Sequence, residues 1–240
     1  MALVRQQPEQ QAPPVQRLRV RYAKRGRLRF TSHRDFSRAF ERAVFRARIP
    51  MAYSSGFNPH PRISYAGAAP TGSASEAEYL ELALAQVVSP ADVHADLDEA
   101  LPPGLDVLEV VESQGGSLAD LLEASHWRLE VDGEPAAALE AVTAFLGASE
   151  VLVERMTKKG LREFDSRAAV ASLAVVDSQA RTTIDLVLRH GTPSVRPDDV
   201  LRGLTQLTGF EAGDAPLMTR VSQGPIGDDG VVGDPLAPRA

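Results

Sequence analysis

From Gln16 to Gln223 the apolar residues keep changing their spacing, from every second position to every third or fourth and back. Period two marks a strand with one buried face and period 3.6 a helix, so the order of these switches constrains the fold more than any single motif. The order is strand, helix, strand, strand, helix, strand, followed by a second round with one extra strand. In the first round "QRLRVRYAKRG" alternates Leu18, Val20 and Tyr22 with Arg17, Arg19 and Arg21. This predicts a strand with an arginine-lined outer face, continued by "RLRF" after a turn at Gly26. A helix follows from Ser32, with Ser32 and Asp35 as a capping box and Pro50 as its stop. Its apolar stripe is Phe36, Ala39, Phe40, Ala43, Val44 and Ala47.

Two such rounds predict an α+β protein made of two consecutive ferredoxin-like β-α-β-β-α-β halves, each an antiparallel sheet with helices on one face. The halves are expected at residues 16–113 and 126–223, joined by a connector at 114–125. Where the extra strand of the second half pairs is open. The Gln- and Pro-rich start, 1–15, and the Gly-, Asp- and Pro-rich end, 224–240, are expected to be disordered. No apolar run is long enough to cross a bilayer, and "MALVRQQPEQQAPPVQ" lacks the core of a signal peptide, so a cytoplasmic location is expected.

Charge is unevenly placed. Residues 16–62 hold 13 of the 26 Lys and Arg against only Asp35 and Glu41, a balance of +11 in a chain of net charge -6. Much of it lies on the first helix, where Arg34, Arg38, Arg42 and Arg46 recur every four residues beside the apolar stripe. Lys24, Arg25, Arg27 and Arg29 precede them. Guanidinium forks suit phosphate, donating two hydrogen bonds while neutralising charge. A polyanion such as RNA is therefore the natural partner of this stretch, and no membrane association is expected. The plainer reading is a solvated helix face, or a basic patch docked on the acidic remainder of the same chain.

The loop "YSSGFNPHPRIS" adds candidate contacts. Pro59 and Pro61 stiffen the backbone around His60, and Gly56 permits a turn that other residues resist. Tyr53 and Phe57 could stack on unpaired bases, with Asn58, His60 and Arg62 supplying polar contacts. At the helix start Ser32, His33 and Arg34 either cradle a phosphate or form an ordinary cap. His33 and His60 are also the residues an acid–base pair for metal-independent RNA cleavage would use. In the second half "KKGLREFDSR" places Lys158, Lys159, Arg162, Asp165 and Arg167 around a charged turn, with Asp165 expected to pair with Arg167. No metal site is expected. The chain has no cysteine, which excludes disulfides, thiolate metal sites and a cysteine-held iron–sulfur cluster within it.

The motif from Lys24, Gly26, Phe30, Ser32, His33 and Asp35 through Tyr53–Ser64 to Gly72, Ser75, Glu78 and Tyr79 resembles the radical-SAM-associated domain-of-unknown-function family. The likeness extends over residues 16 to 222, and "GFNPHPRIS" is its most specific block. It implies a radical SAM protein as partner, either fused or as a separate chain, and a setting in RNA or ribosome maturation. With no cysteine here, the cluster would belong to that partner, and no cofactor is expected in this chain. The reading that combines residues and resemblance is an accessory RNA-binding or substrate-presenting module, non-catalytic on its own. The alternatives are a small RNA-processing enzyme using His33 and His60, and a protein–protein adaptor for the radical SAM partner.

Overall fold

The computed structural model describes residues 10–157, 160–176 and 181–237, and the chain divides into two compact units. The described residues form a mixed α+β structure with four α-helices and mostly antiparallel strands. The first unit holds the described residues up to Thr71, Glu78–Ala119 and the chain end from Leu236. Its elements are β1 (Gln16–Lys24), α1 (His33–Arg46), β2 (Ile63–Ala66), β3 (Ala74–Leu84) from Glu78 onward, α2 (Pro90–Ala100) and β4 (Val107–Glu112). The strands lie in the order β4-β1-β3-β2. β1 and β4 are antiparallel with Val20 opposite Val110, and β2 and β3 are antiparallel with Ile63 opposite Leu82.

The core of this unit gathers Leu18, Val20 and Tyr22 from β1, Leu80 and Leu82 from β3, Phe36, Phe40 and Val44 from α1, and Val93 and Leu97 from α2. Tyr22 and Phe36 stack with ring centroids 4.6 Å apart. The apolar stripe read from the sequence is thus the buried face of α1. Ser32 caps the helix, its Oγ accepting the Asp35 N–H at 3.2 Å and donating to the Asp35 carboxylate at 2.7 Å. Two local expectations fail. "RLRF" does not extend β1: Gly26, at φ 54°, turns the chain into a short 3-10 segment ending at Phe30. The helix also ends before Pro50. Arg48 takes a left-handed φ of 53°, and the Ile49 N–H closes back onto the Val44 carbonyl at 3.1 Å.

The second unit comprises Gly72–Ala77 and Asp120–Pro235. Its elements are β5 (Ala124–Val131), α3 (Pro135–Gly147), β6 (Leu152–Thr157), β7 (Gly160–Asp165), β8 (Val170–Val176), β9 (Thr182–Arg189), α4 (Pro197–Thr208) and β10 (Leu217–Gly224). The order is β10-β5-β9-β8, all neighbours antiparallel, and Ala74 and Ser75 at the start of β3 run parallel beside Thr219 and Arg220. Trp127, Leu129, Phe145, Leu186, Leu188, Val200 and Leu204 are buried here. Gly203 on α4 lacks a Cβ for a reason: one there would lie 2.8 Å from the Phe145 ring and 2.9 Å from Val151.

The unplaced extra strand is β6, which pairs with β7 in a two-stranded sheet of its own. The "KKGLREFDSR" stretch is therefore half strand. Lys158 and Lys159 lie outside the described residues. Asp165 does not pair with the Arg167 guanidinium. It accepts the backbone N–H groups of Val151, Arg167 and Ala168, while Arg167 donates to the Val170 and Leu146 carbonyls. At the chain end, residues 225–237 carry local order, with Ile226 bridging Val232 and Leu236 buried. Among the described residues no helix is long and apolar enough to cross a membrane.

Candidate functional site

The arginines of the first unit fall into two groups. Those on β1 and just after it are matched with carboxylates: Arg17 and Arg19 with Glu81, Arg21 with Glu109, and Arg25 with Asp106. Arg19 is buried, and its Nη2 also donates to the carbonyls of Gly115 at 2.7 Å and Gly116 at 3.0 Å. The outer face of β1 is therefore not the open cationic strip that alternation predicts, because acids and carbonyls distant in sequence cover it. Burial pushes the Glu81 carboxyl up, but bonds from Arg17, Ser113 and Arg19 outweigh it, so Glu81 stays below the usual carboxylate range. Lys24 is likewise interior, 5% exposed, with Nζ 3.4 Å from the Ala69 carbonyl.

The second group is open. Arg34, Arg38, Arg42 and Arg46 are exposed, and none forms an ion pair among the described residues. Among the described residues Arg46 alone of these has a hydrogen-bond partner, the Ala100 carbonyl at 3.1 Å. Arg27 is exposed too, and half-buried Arg29 lies over the Phe30 ring at 4.7 Å. Phe45, absent from the residues chosen by sequence, is 81% exposed. Its signal was there to read, since position 45 falls on the arginine side of α1 and outside the apolar stripe.

The "YSSGFNPHPRIS" loop is closed at its base by one residue. Ser54 Oγ accepts the His60 N–H at 3.0 Å, and the Ser54 N–H donates to the His60 carbonyl at 2.9 Å. Tyr53 bridges Pro61 just outside this clasp, and Gly56 turns the tip at φ 120°. Phe57, Asn58 and His60 are exposed at the tip, Tyr53 is partly so, and Arg62 is half-buried. The proline pair thus acts with a serine clasp to hold His60.

His33 and His60 are not joined by any hydrogen bond or ring contact among the described residues. His33 instead meets the Tyr65 ring edge-on at 5.0 Å. Burial pushes the Tyr65 hydroxyl up to about 12. His33 also borders, with Lys24, Glu78, Thr31 and Phe36, a cavity of about 20 Å³. That is room for one water molecule. No group of three or more His, Asp or Glu side chains among the described residues could hold a metal ion. In the second unit Arg162 is exposed on β7. In the first turn of α4, Asp199 receives the Arg155 guanidinium and the Arg196 N–H. Burial raises the Asp199 carboxyl despite these bonds.

No curated protein matches the sequence. Among solved structures, a chain in the crystal structure of a Cbf5-Nop10-Gar1 complex is similar at 9% identity and a TM-score of 0.46. The match covers 91% of this chain and 56% of that one, so this chain spans less than two thirds of its length. The family model described as "Uncharacterized protein conserved in bacteria (DUF2344)" matches residues 17–197. That span is most of the chain, and the protein belongs to this family.

Proposed function

We propose that this protein is an accessory RNA-binding or substrate-presenting module that works with a radical SAM enzyme in RNA or ribosome maturation. One observation carries the RNA reading: Arg34, Arg38, Arg42 and Arg46 stand exposed without an ion pair among the described residues, while the β1 arginines are matched with acids. A solvated row of guanidiniums with no ion pair among the described residues suits a phosphate backbone. The exposed Phe57, Asn58 and His60 on a clasped loop supply contacts for a base or a modified end.

The radical SAM partnership rests on the motif resemblance and on the absence of any cysteine in this chain to hold a cluster. A cytoplasmic setting goes with that partnership. The strand orders β4-β1-β3-β2 and β10-β5-β9-β8 support reading the units as ferredoxin-like halves, with β6 and β7 inserted in the second. The enzyme alternative has less behind it, because His33 is engaged with Tyr65 and shares no hydrogen bond or ring contact with His60 among the described residues.

Ultraviolet crosslinking to a cellular RNA pool, followed by mapping of the RNA-bearing peptides, tests the proposal. Crosslinks are expected on peptides spanning α1 and residues 53–62. Crosslinks confined to the second unit, or none at all, would overturn it.

A further inference from the structure

Phe45 is the anomaly of α1. The helix has a well-formed apolar face, with Phe36 and Phe40 at or below 3% exposure, yet it places a third phenylalanine in solvent at 81%. At 100° per residue, Phe45 points about 180° from Phe36, about 20° from Arg38 and about 60° from Arg42. The ring therefore stands at the middle of the outer face. Arg38, Glu41, Arg42, Phe45 and Arg46 border one shallow concavity there. A lone exposed apolar residue is ordinary. An aromatic set among guanidiniums that carry no ion pair among the described residues is a different arrangement, because it offers a flat π-face beside anchors for anions.

We infer that Phe45 is a stacking platform for an unpaired base, and that the ligand of α1 is a short single-stranded segment of RNA. This rests on the RNA-binding reading above. Successive arginines of the row are about 6 Å apart along the axis, comparable to neighbouring phosphates of one strand. Arg38, Arg42 and Arg46 take phosphates while the intervening base turns onto Phe45. A duplex cannot use this surface in the same way. Its bases are stacked on one another, and the deep, narrow major groove of A-form RNA excludes side chains. Glu41 borders the same concavity and forms no ion pair with these arginines among the described residues.

The test is fluorescence anisotropy of the full chain with labelled oligouridylate, free or annealed to oligoadenylate. The wild type should bind the free strand at least tenfold more tightly than the duplex. Phe45→Ala and Phe45→Leu should each weaken single-strand binding roughly tenfold without altering the salt slope, and Phe45→Trp should retain it. Leucine keeps the apolar contact and removes the π-face, which separates stacking from mere hydrophobic cover. Because the ring is in solvent, none of these variants should disturb folding. Equal binding of duplex and single strand, or a Phe45→Leu protein that binds like wild type, overturns the platform while steep salt dependence keeps the RNA reading. A wild type that binds neither form removes both, and points to a protein partner for this face.

Discussion

The division of the arginines into matched and open sets makes a quantitative prediction about salt. If Arg34, Arg38, Arg42 and Arg46 each meet one phosphate of a single strand, the slope of log affinity against log salt is about -2.8, at about 0.7 per contact. Between 50 and 200 mM salt that corresponds to about a fiftyfold loss of affinity. Changing all four to Gln should remove this part of the slope, and the remaining dependence should be shallow. The control is a second variant, Arg17→Gln with Arg21→Gln and Arg25→Gln. It removes nearly as much formal charge from the same unit, but from side chains already 2.9, 3.8 and 2.7 Å from carboxylates. Those guanidiniums release few counterions on binding, so the slope should move by less than about 0.7. Anisotropy titrations with oligouridylate at four salt concentrations measure both. A control variant that flattens the slope as much as the row variant would show that binding follows bulk charge, and the assignment to α1 would fall.

Two further outcomes concern the frame that holds this face. Glu81→Gln leaves the buried Arg19 guanidinium without its counter-charge and should lower unfolding free energy by about 2–4 kcal/mol in urea titrations at pH 7. Since Glu81 has a depressed carboxyl in the folded state, its contribution is complete above the unfolded value near 4.3 and is lost as pH falls through the folded one. Wild type and variant should converge on acidification; a constant gap would refute the pairing. Gly203→Ala should cost about 1–3 kcal/mol by calorimetry through its clash with Phe145 and Val151, whereas Gly147→Ala, with open space around it, should be neutral or stabilising.

Much of α1 was legible in the sequence because everything needed is local. Phe36, Phe40, Ala43 and Val44 repeat at helical spacing, and Ser32 and Asp35 lie three residues apart. The exposed arginines follow from the same wheel. What could not be read depends on distant partners. Arg19 alternates like a solvent-facing strand residue, but Glu81 and the carbonyls of Gly115 and Gly116 arrive from other parts of the chain to enclose it. Likewise β6 carries an ordinary strand pattern, and nothing in it says that its partner is β7. The helix end was misplaced because Arg48 adopts a left-handed conformation that glycine or asparagine would have announced. Phe45 escapes a reading that expects exposed aromatic rings in loops, because it sits on the polar side of a regular helix.

Ser54 grips both backbone polar groups of His60, so the tip bearing Phe57 and Asn58 has its shape before any partner arrives. A segment that must be ordered on contact gives back that ordering as a weaker complex, and among related complexes the difference is mostly in the rate of departure. On the proposed reading, the serine clasp would act on residence time: the charges of α1 would serve encounter with RNA, and the pre-shaped loop would set how long the complex lasts.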